Sequence, residues 1–242
     1  MRRPRQTELR FHTRGGARPG AGRPPNGPRA GVSHLRRPKL SRHHPVHVTI
    51  RVVPAVGRLR RRVAYRCVSD ALLAGFPRDG FKVVAASVQA THLHLLIEAH
   101  DKRALSRGMQ SFSISFARRL NRRCGRKGRV LADRYHAESI TTPRQARNAY
   151  AYIFNNWRKH HEDRGRTWRI DPFSSAIAFD GWKGMESFAG FRLPPTYEVL
   201  PVHYPTVWLL TTGWRRHGLI DVRERPGARG SVDPARPGRA LG

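Results

Sequence analysis

Three segments of the chain predict β-strands, and in the first of them apolar and polar residues alternate with a period of two, as in a strand with one buried face. The first segment is Val46–Val52, which stops before Pro54. Phe81–Ala90 is a second strand, rich in valine, and Thr91–Ala99 is a third. We expect a turn within Ala85–Thr91 to join the second strand to the third.

Three other segments repeat apolar residues every three or four positions, which is the period of an α-helix with one buried face. Leu59–Phe76 is the first, and Gly75 and Pro77 end it. The second has an apolar stripe formed by Leu105, Met109, Phe112, Phe116 and Leu120. The third begins at Thr142-Pro143, a hydroxyl cap followed by proline at the first helical position. Its apolar face is Ala146, Ala149, Tyr150, Ile153 and Trp157.

The order of these elements predicts the fold class. Gly125 to Gly128 end the second helix, and Val130–Ile140 is predicted to form a fourth strand. The order is then strand, helix, strand, strand, helix, strand, helix. This order is typical of an α+β domain with an antiparallel, split-βαβ (ferredoxin-like) sheet and helices packed on the sheet. We assign this domain to residues 46–165.

The flanks of this domain differ from it in composition. Residues 1–45 are basic and rich in Pro and Gly, and we expect a disordered arm. Its Gly22-Arg23-Pro24 resembles the core of an AT-hook, so both a solvated arm and a minor-groove segment stay open. We expect residues 166–225 to form a C-terminal extension packed on or near the domain, and residues 226–242 a disordered tail.

The charge of the chain indicates a polyanionic partner. Lys and Arg number 47 against 16 Asp and Glu, so the formal net charge is +31. So many positively charged side chains would repel one another without a polyanion to neutralise them, and nucleic acid is the usual polyanion. Two cysteines, Cys67 and Cys124, are too few for a disulfide framework or a cysteine-rich zinc module. Neither a membrane-length apolar run nor a signal peptide is visible, so we expect a cytoplasmic, nucleoid-associated protein.

Two clusters are candidates for contact with nucleic acid. One is a dense basic run of seven residues, which a solvated surface also explains but which we expect to bind DNA phosphates. Its members are Arg118, Arg119, Arg122, Arg123, Arg126, Lys127 and Arg129. The other cluster lies in the C-terminal extension and could clamp an unpaired base or form a lid on the domain. Its members are Trp208, Trp214, Arg215 and Arg216.

His92-Leu93-His94 is the histidine pair with metal-ligand spacing. Residues two apart on a strand project to one face, so the two imidazoles can converge on one cation. Leu93 and its alternate neighbours form the opposite face, which we expect to be core. Two hydrogen-bonded, partly buried histidines are the alternative. His47 lies on the polar side of the first strand and could approach this pair or contact DNA, but we expect it to be a surface histidine.

The third helix presents a second candidate group, Tyr152 and Asn156. With Ile153 at the centre of the apolar stripe, these two residues lie together on its flank, one helical turn apart. A tyrosine there keeps its ring packed and its hydroxyl accessible, although a core tyrosine beside a polar pair is the alternative. Tyr150 and Tyr135 are the other tyrosines that could present a hydroxyl to this group.

Taken in order, these motifs resemble a known family. The His-Leu-His strand followed by the Tyr-Ile-x-x-Asn helix is similar to the single-tyrosine HUH transposases, above all to the branch associated with repetitive extragenic palindromes (REP) and related to IS200-type elements. Between them, Leu120-Asn121-Arg122-Arg123 and Asp133-Arg134-Tyr135-His136 are also similar. The resemblance covers about residues 43–185, and it departs from the family pattern at Trp157, where proline is common.

The resemblance implies a metal-dependent enzyme that cuts and rejoins single-stranded or hairpin DNA. His92 and His94 would hold a divalent cation, Mg²⁺ or Mn²⁺, and Asn156 would match the third ligand. Tyr152 would be the nucleophile and would form a 5′-phosphotyrosine. A homodimer is open. Two rival hypotheses remain: a non-catalytic basic nucleic-acid-binding protein, and a metal-dependent nuclease that uses water as the nucleophile.

Overall fold

The computed structural model describes residues 39–164, 169–184 and 198–226. Within these residues the strands are β1 Val46–Arg51, β2 Phe81–Val88, β3 His92–Ala99 and β4 His136–Ser139. The helices are α1 Arg62–Leu73, α2 Lys102–Arg123, α3 Pro143–Lys159 and the short α4 Trp208–Thr211. Short 3₁₀ turns occupy Pro54–Val56, Ala176–Ala178 and Gly213–His217.

The strands form one antiparallel sheet in the order β2–β3–β1–β4. This is the split-βαβ arrangement that the sequence predicts, so the fold class is confirmed. The two strands that carry the candidate residues, β1 and β3, are the central pair, with Thr49 opposite His94 and Arg51 opposite His92. The site therefore lies in the middle of the sheet, with strands on both sides of it.

Two element boundaries differ most from the sequence prediction. The first helix begins at Arg62 rather than Leu59, because the backbone N–H of Leu59 donates to the carbonyl of Ala90 and is tied to the sheet. The fourth strand is only His136–Ser139. Leu131 forms an isolated bridge with Val52 at the end of β1, so the chain leaves the sheet before it pairs again as β4.

Each face of the sheet has its own core. One face packs against α1 and α2, and Leu93, Leu95 and Ile97 of β3 point into this core. The opposite face packs against α3, and Leu96 belongs to that second core. His92 and His94 share the face of Leu96, because side chains alternate along a strand. The sequence assigns both faces of β3 correctly.

Local features place the helices closely against the sheet. A Cβ added at Gly108 of α2 would lie 2.2 Å from the ring of Phe81, so only glycine permits this approach of helix to strand. In α3, the Thr142 hydroxyl accepts from the Gln145 N–H and the Gln145 side chain accepts from the Thr142 N–H. This capping box fixes the start of α3 and therefore the height of Tyr152 over the sheet.

The described part of the C-terminal segment packs on both faces of the sheet: Leu200 lies in the first core, and the residues from Thr206 onward pack on the α3 side. The buried Glu98 carboxylate, on β3, accepts hydrogen bonds from the backbone of Thr206 and Val207. Trp214 is buried in the second core, so it cannot clamp a base as one sequence hypothesis supposed. Trp208 is half exposed, with the Arg216 guanidinium over its ring. The predicted basic arm lies almost wholly outside the described residues.

No helix among residues 39–164, 169–184 and 198–226 is long and apolar enough to cross a membrane.

Candidate active site

The two histidines of β3 lie side by side on the α3 face of the sheet. His94 is 2% exposed, and His92, nearer the end of the strand, is half buried. Their ring centroids are 4.7 Å apart and the ring planes stand at 85°. The strand alternation thus brings both imidazoles to one place, as the spacing predicts.

Helix α3 brings the tyrosine and the amide to the same place. The Tyr152 ring centroid lies 5.1 Å from that of His94, and the Tyr152 side chain is half buried. The Asn156 Nδ2 atom lies 3.0 Å from His94 Nε2. Tyr152 and Asn156 therefore both lie against His94, and His92 reaches this group through its own contact with His94.

Asn155 and Asn156 point in different directions. The Asn155 amide donates to the backbone carbonyl of Asp221 and so fastens the C-terminal segment to α3. Only Asn156 reaches His94. This is the selection that helical geometry predicts, because residues four apart lie on the same side of a helix.

The alternative tyrosines lie away from this group. Tyr150 is buried in the second core, its hydroxyl donates to the carbonyl of Leu210, and burial raises its pKa further above the usual value. Tyr135 packs against the first core, on the α1 and α2 face of the sheet. Tyr152 is the tyrosine that the structure places beside both His94 and His47.

The prediction of a surface role for His47 is wrong. His47 is half buried, and its Nε2 atom lies 3.1 Å from His94 Nδ1. Its ring also contacts the ring of Tyr152, with centroids 5.6 Å apart. The strand alternation placed His47 on the polar face of β1, but only the tertiary structure shows that His94 of the neighbouring β3 lies beside it and that α3 packs over this face.

Several further groups surround the candidate site that the sequence analysis did not assign to it. Thr49 Oγ1 lies 3.2 Å from His94 Nδ1. The exposed His160, one turn after Asn156, has its ring centroid 5.5 Å from that of His92. Lys159 Nζ lies 5.7 Å from the centre of the Tyr152 ring. The spacing of Tyr152, Asn156 and His160 by four residues was a signal that could have identified His160.

The imidazoles of the site are neutral at neutral pH. Burial lowers the pKa of His47 to about 4, and it lowers the pKa of His92 to about 4 with help from the nearby His160. The pKa of the more deeply buried His94 is also well below its usual value, chiefly through burial and then through His47. Neutral imidazoles have the lone pairs that metal coordination needs.

The side chains of the candidate site could hold a divalent cation only if the Asn156 amide is one of the ligands. Among the described residues, no group of three or more His, Cys, Asp or Glu side chains could hold a metal ion. His92, His94 and Asn156 provide two imidazoles and one amide instead. The Asn156 Oδ1 atom is buried and has no hydrogen-bond partner among the residues that the structure describes. A buried acceptor of this kind is costly unless it is paired, and a cation would pair it.

Some residues of the predicted basic run bond to other groups of the protein, and others are exposed. Arg119 donates to Ser115, Arg123 pairs with Asp70, and Arg129 donates to backbone carbonyls of its own loop. The exposed members without such internal bonds are Arg118, Arg122 and Lys127. These three are the stronger candidates for contact with a polyanion.

Comparison with known proteins finds a family and solved structures to which the chain is similar. Residues 46–156 match the family model of IS200-like transposases. The chain is similar to the structure of a REP-associated tyrosine transposase bound to a REP hairpin, with 18% identity and a TM-score of 0.47, covering 73% of this chain and 96% of that chain. It is also similar to the crystal structure of a candidate transposase from Deinococcus radiodurans R1, with 15% identity and a TM-score of 0.35, covering 57% of this chain and 99% of that one. Curated proteins gave no match.

Proposed function

Because residues 46–156 belong to the family of IS200-like transposases, we propose that the chain cuts and rejoins single-stranded or hairpin DNA with Tyr152 as its nucleophile. The observation that carries this proposal is the position of Tyr152. The centroid of its ring lies 5.1 Å from that of the His94 ring. The Nε2 atom of His94 in turn lies 3.0 Å from Asn156 Nδ2. A phenol and a set of neutral donor atoms are thus side by side on one face of the sheet.

The reaction conserves a phosphoester. The Tyr152 oxygen forms a bond to the scissile phosphorus while the bond from that phosphorus to the 3′ oxygen breaks. The phenol gives up its proton and the leaving 3′ oxygen gains one, so the products are a 5′-phosphotyrosine and a free 3′-hydroxyl. Because one ester replaces another, the reverse attack by a 3′-hydroxyl rejoins DNA without an external energy source.

His92, His94 and Asn156 would hold the divalent cation, Mg²⁺ or Mn²⁺, in this proposal. When bound, such a cation supplies Lewis acidity at a phosphate oxygen and fixes the orientation of the ester. The protein's own contribution is geometric: β3 holds the two imidazoles, and α3 holds both the amide and the phenol at fixed heights. Two imidazoles and an amide leave coordination positions open for phosphate oxygens.

Positive charge around the site supports DNA as the substrate. Arg51 ends β1 directly opposite His92, and Lys159 lies beside Tyr152. The exposed residues of the basic run add further cations after α2. With a net charge of +31, the chain favours a polyanion over any small neutral substrate.

A covalent adduct tests this proposal against its rivals. Purified protein is incubated with hairpin-bearing single-stranded DNA and Mn²⁺, denatured, and separated by electrophoresis. We expect a protein–DNA adduct in the wild type and none in Tyr152→Phe. Cleavage without an adduct in either protein would indicate a water nucleophile, and salt-sensitive binding without cleavage would indicate a non-catalytic binder.

A further inference from the structure

Both ring nitrogens of His94 have a polar neighbour inside the protein. On one side, His94 Nε2 lies 3.0 Å from Asn156 Nδ2. On the other side, His94 Nδ1 lies 3.1 Å from His47 Nε2 and 3.2 Å from Thr49 Oγ1. Since His94 is only 2% exposed, water does not compete freely for these positions.

These contacts together determine which nitrogen of His94 carries the proton. An amide nitrogen can only donate, so the contact with Asn156 requires a lone pair on His94 Nε2. In a neutral imidazole the proton then lies on Nδ1, where it needs an acceptor. His47 Nε2 and Thr49 Oγ1 are both able to accept it.

We propose that His47 is a positioning residue, which holds His94 in the tautomer with its proton on Nδ1 and its Nε2 lone pair directed at Asn156. Residues that bind a metal through one imidazole nitrogen commonly donate from the other to a fixed acceptor. His47, on the neighbouring strand β1, is this acceptor for His94 Nδ1. The expected effect on cation binding rests on the proposed function, whereas the assignment of the His94 tautomer does not.

The sheet explains why His47 reaches His94. Thr49 is the residue directly opposite His94 in the register, and His47 is two residues along β1 on the same face. Such diagonal neighbours are within reach of ring side chains. The His47 ring also lies edge-on to Tyr152, with centroids 5.6 Å apart at 65°. One side chain therefore supports both the candidate ligand and the candidate nucleophile.

The tautomer can be measured in the metal-free protein. Two-bond ¹H–¹⁵N spectra of ¹⁵N-histidine-labelled protein distinguish the two neutral tautomers of each imidazole. In the wild type we expect His94 to be protonated on Nδ1. His47→Leu leaves Thr49 Oγ1 as the remaining neighbour of His94 Nδ1, so we expect a measurable share of the tautomer with its proton on Nε2. In His47→Gln, which keeps an acceptor at similar reach, we expect the wild-type form. A wild-type proton on Nε2, or a His47→Leu variant with the unchanged tautomer, would overturn the proposal.

Mn²⁺ affinity, measured by electron paramagnetic resonance titration, gives a second readout that does not depend on DNA cleavage. We expect His47→Leu to weaken binding by about tenfold, the lower end of effects for residues that orient a ligand, and His47→Gln to restore most of it. Equal affinity in all three proteins would contradict the proposed effect on the ion. If the wild type binds no Mn²⁺, the metal proposal fails, while the spectra still decide the role of His47. The thermal unfolding midpoint of each variant shows that it is folded.

Discussion

Asn156 Nδ2 lies 3.0 Å from His94 Nε2, and this contact joins the last turns of α3 to the middle of the sheet across 62 positions of sequence. The contact is buried, and within the described part of the chain it leaves the other amide atom, Asn156 Oδ1, without a hydrogen-bond partner. An orphaned acceptor beside two neutral imidazoles is an arrangement that a cation would complete. The proposed metal site, the proposed nucleophile and the position of α3 therefore depend on one another.

Replacement of Asn156 should weaken binding of the cation. In Asn156→Leu the imidazoles keep their places but the amide oxygen is removed, so we expect Mn²⁺ affinity to fall at least about tenfold. Asn156→Asp keeps an oxygen donor and adds charge, so its affinity should equal or exceed that of the wild type. Titration of Mn²⁺ followed by electron paramagnetic resonance measures both.

Asn155 provides the matched control for this prediction. Asn155→Leu removes the hydrogen bond to the Asp221 carbonyl but touches neither imidazole, so Mn²⁺ affinity should stay within a few-fold of the wild type. An Asn155→Leu variant that loses as much affinity as Asn156→Leu would indicate a general disturbance of α3 instead of the removal of a ligand.

The buried histidines predict a loss of stability in mild acid. Since the pKa of His47 and of His92 is lowered to about 4 in the folded protein, the unfolded chain binds protons first as the pH falls below about 6.5. The free energy of unfolding should therefore be highest above that pH and fall by on the order of a few kcal/mol toward pH 4.5. Urea unfolding of the metal-free protein at several pH values measures this slope.

A variant separates the site histidines from other acid effects. His92→Gln removes one of the groups with a lowered pKa, so its stability should fall less steeply between pH 6.5 and 4.5 than that of the wild type. His43→Gln, at an exposed position outside the site, should leave the slope unchanged. Identical slopes in the wild type and His92→Gln would show that His92 is not buried as the structure has it.

The exposed part of the basic run should control the salt dependence of DNA binding. Replacement of Arg118, Arg122 and Lys127 by Gln should lower affinity and reduce the slope of log K against log salt by about 2, since each phosphate neutralised on a single strand adds roughly 0.7 to that slope. Arg123→Gln, which removes a residue already paired with Asp70, is the control and should change the slope little. An unchanged slope in the triple variant would show that the DNA phosphates bind elsewhere on the protein.

Glu98 should be a large contributor to the attachment of the C-terminal segment. Its buried carboxylate accepts from the Thr206 N–H at 2.8 Å, the Val207 N–H at 2.8 Å and the Thr206 hydroxyl at 2.6 Å. Glu98→Ala leaves these donors unpaired, so the free energy of unfolding should fall by about 3 kcal/mol. Glu98→Gln keeps one carbonyl acceptor and should lose less. Urea unfolding measures both, and a Glu98→Ala variant as stable as the wild type would contradict this role.

The sequence predicts the fold and much of the site because both depend on short periods. Alternation along β3 places His92 and His94 on one face, and the four-residue spacing on α3 pairs Tyr152 with Asn156. The role of His47 was not predictable in this way, because it depends on which strands are neighbours. Strand order is set by long-range pairing that no local pattern records.

The C-terminal segment shows the same limit of local patterns. Trp214 resembles a base-stacking residue when it is read beside Arg215 and Arg216, yet it is buried in the second core. The sequence contains no periodic signal for this packing, because the segment docks on α3 through a one-turn helix and a 3₁₀ turn that are too short to show a period. Its position follows from partners far away in sequence, such as Glu98 with Val207.

The most direct test of the central claim is to identify the residue that carries DNA. After reaction with single-stranded hairpin DNA and Mn²⁺, the protein is denatured and digested with protease and nuclease, and the modified peptide is sequenced by mass spectrometry. We predict a nucleotide joined through its 5′ phosphate to Tyr152, in the peptide that also contains Tyr150. Attachment to Tyr150 or Tyr135, or efficient cleavage with no modified tyrosine, would contradict the account.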